Sequence, residues 1–113
     1  MSNTLKFRSN KKSKLLSTFE EAILLGIGDK TLSGWDIMKN INHSLDDYKE
    51  YSFGSLYPAL FRLSDSGFLE SYQDFVESQK HRGKKRNLYR VTKKGKDALS
   101  KMNSFRKNLI ELQ

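Results

Sequence analysis

Basic side chains make up most of the chemistry this chain offers, and they are unevenly spread. Of 21 Lys and Arg in 113 residues, five lie within residues 1–14: Lys6, Arg8, Lys11, Lys12 and Lys14. Nine more lie within residues 80–96: Lys80, Arg82, Lys84, Lys85, Arg86, Arg90, Lys93, Lys94 and Lys96. Neither block contains an acid, whereas the other 82 residues hold seven basic and thirteen acidic side chains. The net charge of +8 is therefore two cationic patches on an anionic body. Such segregation is the expected footprint of a polyanion partner; the plainer alternative is a solvated face kept basic for solubility.

No catalytic set accompanies these charges. The chain has no cysteine, so thiolate chemistry and disulfides are excluded, as suits a reducing compartment. His43 and His81 are far apart, and neither has a His or Cys neighbour at metal-ligand spacing. Asp46 and Asp47 suit loop solvation better than an acid–base pair, and "GIGDKT" (26–31) lacks the spacing of a phosphate-binding glycine loop. The expectation is a protein that is not an enzyme and needs no metal or cofactor. No apolar run approaches the ~20 residues of a membrane span, and the basic N-terminus lacks a signal peptide's apolar centre. These features predict a soluble, cytoplasmic protein.

The elements that must carry the patches follow from spacing. Residues 1–14 are polar and aperiodic, which predicts a flexible basic arm. A helix is expected over about 16–27, where Ser17 and Thr18 with Glu20 and Glu21 form two overlapping capping boxes. Gly28 then suits a left-handed stop. A second helix starts after Ser33 as N-cap, with Asp36 near its positive end and Leu32 and Ile37 as a hydrophobic staple; it runs to about Asn42. The stretch 43–51 reads as a polar connection with His43 in a loop and Tyr48 and Tyr51 as anchors. A third helix spans about 53–66 and presents Leu56, Ala59, Leu60 and Leu63 on one arc. "FLESYQDFV" and "NLYRVT" read as strands of a hairpin whose tip is very basic. Thr92 caps a last helix over about 93–112.

In that helix Ala98, Met102, Phe105, Leu109 and Leu112, with Leu99 beside them, follow a heptad seam. So small a domain can hardly cover this seam itself, which predicts a homodimer; the alternative is a seam folded back on the chain's own helices. The fold class expected is mostly α with a small β-hairpin: a winged helix-turn-helix domain (15–92) followed by a dimerisation helix (93–113). In that arrangement the third helix enters a DNA major groove by its N-terminal end, and the hairpin lies against the neighbouring backbone or minor groove.

The third helix opens "GSLYP", with Pro58 the chain's one proline. Near a helix start the missing N–H costs less than the ~3 kcal/mol of a helix interior. Gly54 lets backbone approach a phosphate, free N–H groups favour an anion, and Ser55 and Tyr57 add hydroxyl donors. This makes Ser55, Tyr57, Pro58 and Arg62 candidate DNA-binding residues, Arg62 reading a guanine edge or holding a phosphate. The alternative is that Gly54 and Pro58 only shape the turn and Tyr57 is half-buried packing. The wing tip (Lys80, Arg82, Lys84, Lys85, Arg86) supplies phosphate contacts, and Lys11, Lys12 and Lys14 of the arm track the adjacent groove or stay disordered.

The segments "LSGWDI" (32–37), "GSLYPALFRL" (54–63), "SGFLES" (66–71) and "RNLYRVTKKGKDAL" (86–99) resemble the PadR family of bacterial transcriptional regulators, from about Ile23 to Leu99. The resemblance implies a winged-helix domain with a C-terminal dimerisation helix, usually acting as a repressor on double-stranded DNA in the bacterial nucleoid. Trp35 replaces a common tyrosine, the wing lacks a frequent proline, and the single short final helix resembles the smaller branch of the family. Relatives often sense small aromatic compounds at the dimer interface, which makes Trp35, with Phe105 and Met102, a candidate ligand site. Two other functions stay open: a DNA-coating architectural or partition protein on the same fold, and a module whose basic patches meet an acidic protein.

Overall fold

A computed structural model describes residues 15–45, 51–75 and 85–113. The basic arm, the 46–50 connection and the wing tip from 76 to 84 lie outside the described residues. Helix α1 (Thr18–Ile27) begins at Ser17, which accepts the Glu20 N–H while the Glu20 carboxylate accepts the Ser17 N–H. Of the two capping boxes expected, this one forms. Glu21 instead turns inward to 5 % exposure and pairs with Arg106. After α1 the chain reverses at Gly28, whose φ of 62° favours glycine.

Strand β1 (Leu32–Ser33) was not expected from sequence, because two residues are too few to show a period. Ser33 still caps helix α2 (Gly34–Leu45), its hydroxyl accepting the Asp36 N–H at 3.2 Å. The helix runs three residues beyond Asn42, so His43 lies in its last turn rather than in a loop. Asn42 then grips the Tyr51 peptide from both sides, accepting its N–H at 3.0 Å and donating to its carbonyl at 3.2 Å. The Tyr51 ring stacks on Phe19 of α1 at 4.0 Å. Both contacts fix where helix α3 (Phe53–Asp65) begins.

Strands β2 (Leu69–Phe75) and β3 (Lys85–Val91) pair antiparallel from Leu69↔Val91 to Phe75↔Lys85, and β1 joins the outer edge of β3. The hairpin is thus part of a three-stranded sheet of order β1-β3-β2. Helix α4 (Lys93–Glu111) leaves the sheet through a tight corner. Thr92 accepts the Gly95 N–H and donates to the Gly67 carbonyl at 2.6 Å. A Cβ at position 95 would lie 2.4 Å from the Phe68 carbonyl oxygen, so only glycine admits this approach. The motifs "SGF" and "TKKG" are therefore two sides of one joint.

The core joins Ile23, Leu24 and Ile27 of α1, Ile37 and Ile41 of α2, and all four arc residues of α3. Leu16 ahead of α1, Met38 of α2, Leu69, Tyr89 and Val91 of the sheet and Met102 of α4 complete it. Each fully buried Leu or Ile in such a cluster contributes ~1.5–3 kcal/mol.

Candidate nucleic-acid interface

Helix α3 buries Leu56, Ala59, Leu60 and Leu63, which turns Gly54, Ser55, Tyr57, Pro58, Phe61, Arg62 and Asp65 outward. Its N-cap is Ser52, whose hydroxyl accepts the Ser55 N–H at 3.3 Å. Pro58 is the sixth helical residue. Its ring replaces the N–H that would have bonded the Gly54 carbonyl, and that turn lies at the exposed end, where water can serve the carbonyl instead. Ser55 and Pro58 thus share a solvent-facing, positively polarised helix start.

Tyr57 is fixed by packing that the sequence did not disclose. Phe53 stacks between it and Trp35, with ring centroids 5.9 and 5.7 Å away. A Cβ on Gly34 would come within 2.7 Å of the Tyr57 hydroxyl, so the ring lies over the backbone where α2 begins. The three-ring ladder joins the N-terminal ends of α2 and α3 and remains half exposed, Trp35 at 65 %. The contact given to Trp35 is with Phe53, whereas Met102 and Phe105 stand on α4, which packs against α1 and β3. The protomer therefore supplies Trp35 with a different neighbour from the pair expected to share a ligand site with it.

Arg62 has a partner within the chain. Its Nε lies 3.7 Å from the carboxylate of Glu20, a loose pair between an exposed guanidinium and a partly buried carboxylate. Such pairs contribute little, ~0–1 kcal/mol, and leave the guanidinium open to a stronger anion.

The second basic block divides once folded. Arg90 donates to Glu70 across the sheet at 2.8 Å and lies over the Tyr72 ring, whose hydroxyl donates to the same carboxylate. The Arg90 hydrogen bond, aided by Tyr72, holds the Glu70 carboxyl below its ordinary value, and the Glu70 bond raises the Tyr72 phenol. Lys93 meets Asp97 at 3.6 Å and Lys96 meets Asp29 at 3.1 Å, while Lys94 donates to the Ser66 carbonyl. The C-terminal part of the block thus belongs to the domain's own surface. Arg86 stands exposed on β3, at the wing's outer half. Lys80, Arg82 and Lys84, like Lys11, Lys12 and Lys14 of the arm, lie outside the described residues, and Lys85 is placed by its backbone register opposite Phe75.

Along α4, Ala98, Leu99 and Met102 pack into or against the protomer's own core, Met102 at 8 % exposure. Phe105, Leu109 and Leu112 do not, Leu112 reaching 82 %. Phe61 and Phe53 were missed from sequence. Phe61 could have been found on the helical wheel, three residues after Pro58 and on its face. Phe53 lay at the helix start and gave no such signal. Among the described residues no three His, Asp or Glu converge as metal ligands, and no helix is long and apolar enough to cross a membrane.

Residues 23–101 match the model of the "Transcriptional regulator PadR-like family". A PadR-like transcription factor from Bacteroides fragilis superposes with a TM-score of 0.71 at 26 % identity, covering 96 % of this chain and 93 % of that one. A PadR family regulator from Clostridium difficile R20291 gives 0.68 at 22 % identity, covering 85 % and 94 %. Bacillus subtilis PadR in complex with operator DNA gives 0.66 at 24 % identity over 76 % of this chain. The match spans 46 % of that longer protein, and at such identity it speaks for the fold. None of the curated protein sequences compared with the chain matches it.

Proposed function

The chain belongs to the PadR-like family of transcriptional regulators, and from that premise we propose that it is a homodimeric repressor bound to an inverted repeat in double-stranded DNA. The observation that carries this reading is the exposed start of α3, where Ser55, its hydroxyl accepting from Ser52 at 3.5 Å, and Pro58 face solvent beside a Tyr57 fixed by the aromatic ladder. Ser55 and Tyr57 donate to phosphates, and the polarised helix end draws that backbone close. The wing, with Arg86 on β3 and Lys80, Arg82, Lys84 and Lys85 at and near its tip, follows the next stretch of backbone, and Lys11, Lys12 and Lys14 lie in the groove beyond. These cations raise affinity for any duplex; sequence preference comes from α3.

Dimerisation uses the distal part of α4. Phe105, Leu109 and Leu112 continue the stripe that Ala98, Leu99 and Met102 begin. Two such protomers present two α3 helices to successive major grooves about 34 Å apart. Repression follows by occlusion of a promoter. Relief by a small aromatic effector is supported by the open face of Trp35, and its signature is Trp35 quenching that saturates together with DNA release.

Selection of bound duplexes from a random library at near-physiological salt tests this function. Enrichment of a short inverted repeat is the expected result. Tight binding without enrichment would favour a DNA-coating role, and no binding an acidic protein partner.

A further inference from the structure

Phe61 is 71 % exposed in the middle of a helix that otherwise buries its apolar residues well. Phe53 and Tyr57 are also partly open, but each has a stacked ring beside it. Among the described residues no ring or cation is placed against Phe61. It stands three residues after Pro58 and next to Arg62, so these three side chains share the outward arc of α3 one turn beyond its polarised start. Leaving most of a phenyl ring in water forgoes the stabilisation that burial would supply. A position so placed is where a groove-bound helix meets base edges.

A phenyl ring has no donor or acceptor for the polar pattern of a base pair. The major-groove feature it can match is the C5-methyl group of thymine, the one apolar projection on that surface. We propose that Phe61 is a specificity-determining residue that packs on a thymine methyl and selects a T·A pair in each half-site. This rests on the DNA-binding reading above and adds what the helix recognises. Ser55 and Pro58 set the depth of α3 on the backbone, and Arg62, loosely held by Glu20, lies beside the ring to take a phosphate or a guanine of the flanking pair.

The test takes the duplex enriched by the full chain and replaces its thymines, one at a time, with deoxyuridine. That change removes the methyl and keeps every hydrogen-bonding group. Binding is measured by fluorescence anisotropy at one salt concentration for the wild type, Phe61→Ala and Phe61→Leu. The expected result is one thymine per half-site whose replacement weakens wild-type binding about fourfold, the equivalent of ~0.8 kcal/mol for a methyl-sized group. Phe61→Ala binds the thymine and uracil duplexes alike, Phe61→Leu keeps part of the difference, and a 5-methylcytosine at that position restores part of it. The exposed site predicts an unchanged melting temperature for both variants; should Phe61→Ala not fold, Phe61→Leu carries the comparison.

An enriched duplex with no uracil-sensitive thymine, or one whose sensitivity persists without the ring, overturns this inference and leaves the DNA-binding reading intact. A change of oligomeric state in Phe61→Ala with no change in thymine preference assigns the ring to a protein contact and also overturns it. A library that yields no enriched duplex removes this inference together with the sequence-specific repressor reading it rests on.

Discussion

The first ten residues of α4 and its last turns carry one continuous apolar stripe, yet they meet opposite environments. Gly95, Ala98, Leu99 and Met102 pack into or against the protomer's core, while Phe105, Leu109, Ile110 and Leu112 project into solvent. The difference lies in what is opposite them. Helix α1 has 10 residues and α4 has 19, or about 15 and 28 Å at 1.5 Å per residue, so α4 outruns its neighbour. Arg106 stands at the changeover and closes both of its η nitrogens on the buried Glu21 carboxylate. A heptad pattern thus specifies a stripe and its direction, but the partner is set by how far the rest of the fold reaches.

Substitutions at four positions can break or sharpen that contrast. Met102→Ala, in the core-facing half, should cost ~2–5 kcal/mol of folding stability, seen as a lower urea midpoint at unchanged slope. Arg106→Ala should also lower the midpoint, because it strands the buried Glu21 without its cation, but by less, because the half-exposed Arg106 side of the pair admits water; Arg106→Lys should recover part of the loss. If both changes were silent, the inner half of α4 would not be held as described. Leu109→Glu should act differently. It should leave a folded protomer of unchanged helix content by circular dichroism, convert the proposed dimer to monomer by light scattering, and abolish the concentration dependence of the melting temperature that such a dimer would show. A variant that stays dimeric would remove the distal half of α4 from the interface. The smallest effect is expected from Lys96→Ala, less than about 0.5 kcal/mol, since its partner Asp29 is exposed and such pairs are screened. A larger loss would mean that surface charge, rather than packing, anchors the start of α4.

Much of the fold was legible in the sequence because it is written in local chemistry. Ser17 with Glu20, Ser33 with Asp36 and Thr92 with Gly95 are short-range caps, each complete within four residues. The arc of α3 follows from periodicity alone, and so does its outward face. Other features needed distant chain. Strand β1 exists because Leu32 and Ser33 lie along Tyr89 and Leu88, more than fifty positions away. Nothing local distinguishes Glu21 from Glu20, yet one caps a helix and the other enters the core. In the candidate interface, Ser55, Pro58 and Arg62 were marked by type and spacing and the outward place of Phe61 was open to the same wheel, while the ladder that holds Tyr57 emerged from packing.

By itself, then, the sequence determined the order of the four helices and the hairpin, the helix starts, the buried stripes and the family, because each depends on residues that are neighbours along the chain. Only the tertiary structure decided which of the basic side chains in 90–96 are matched by acids, why Gly34 and Gly95 admit no side chain, and where α4 runs out of its own domain. Those outcomes depend on which surfaces come into contact, and contact between distant segments has no signature in local spacing.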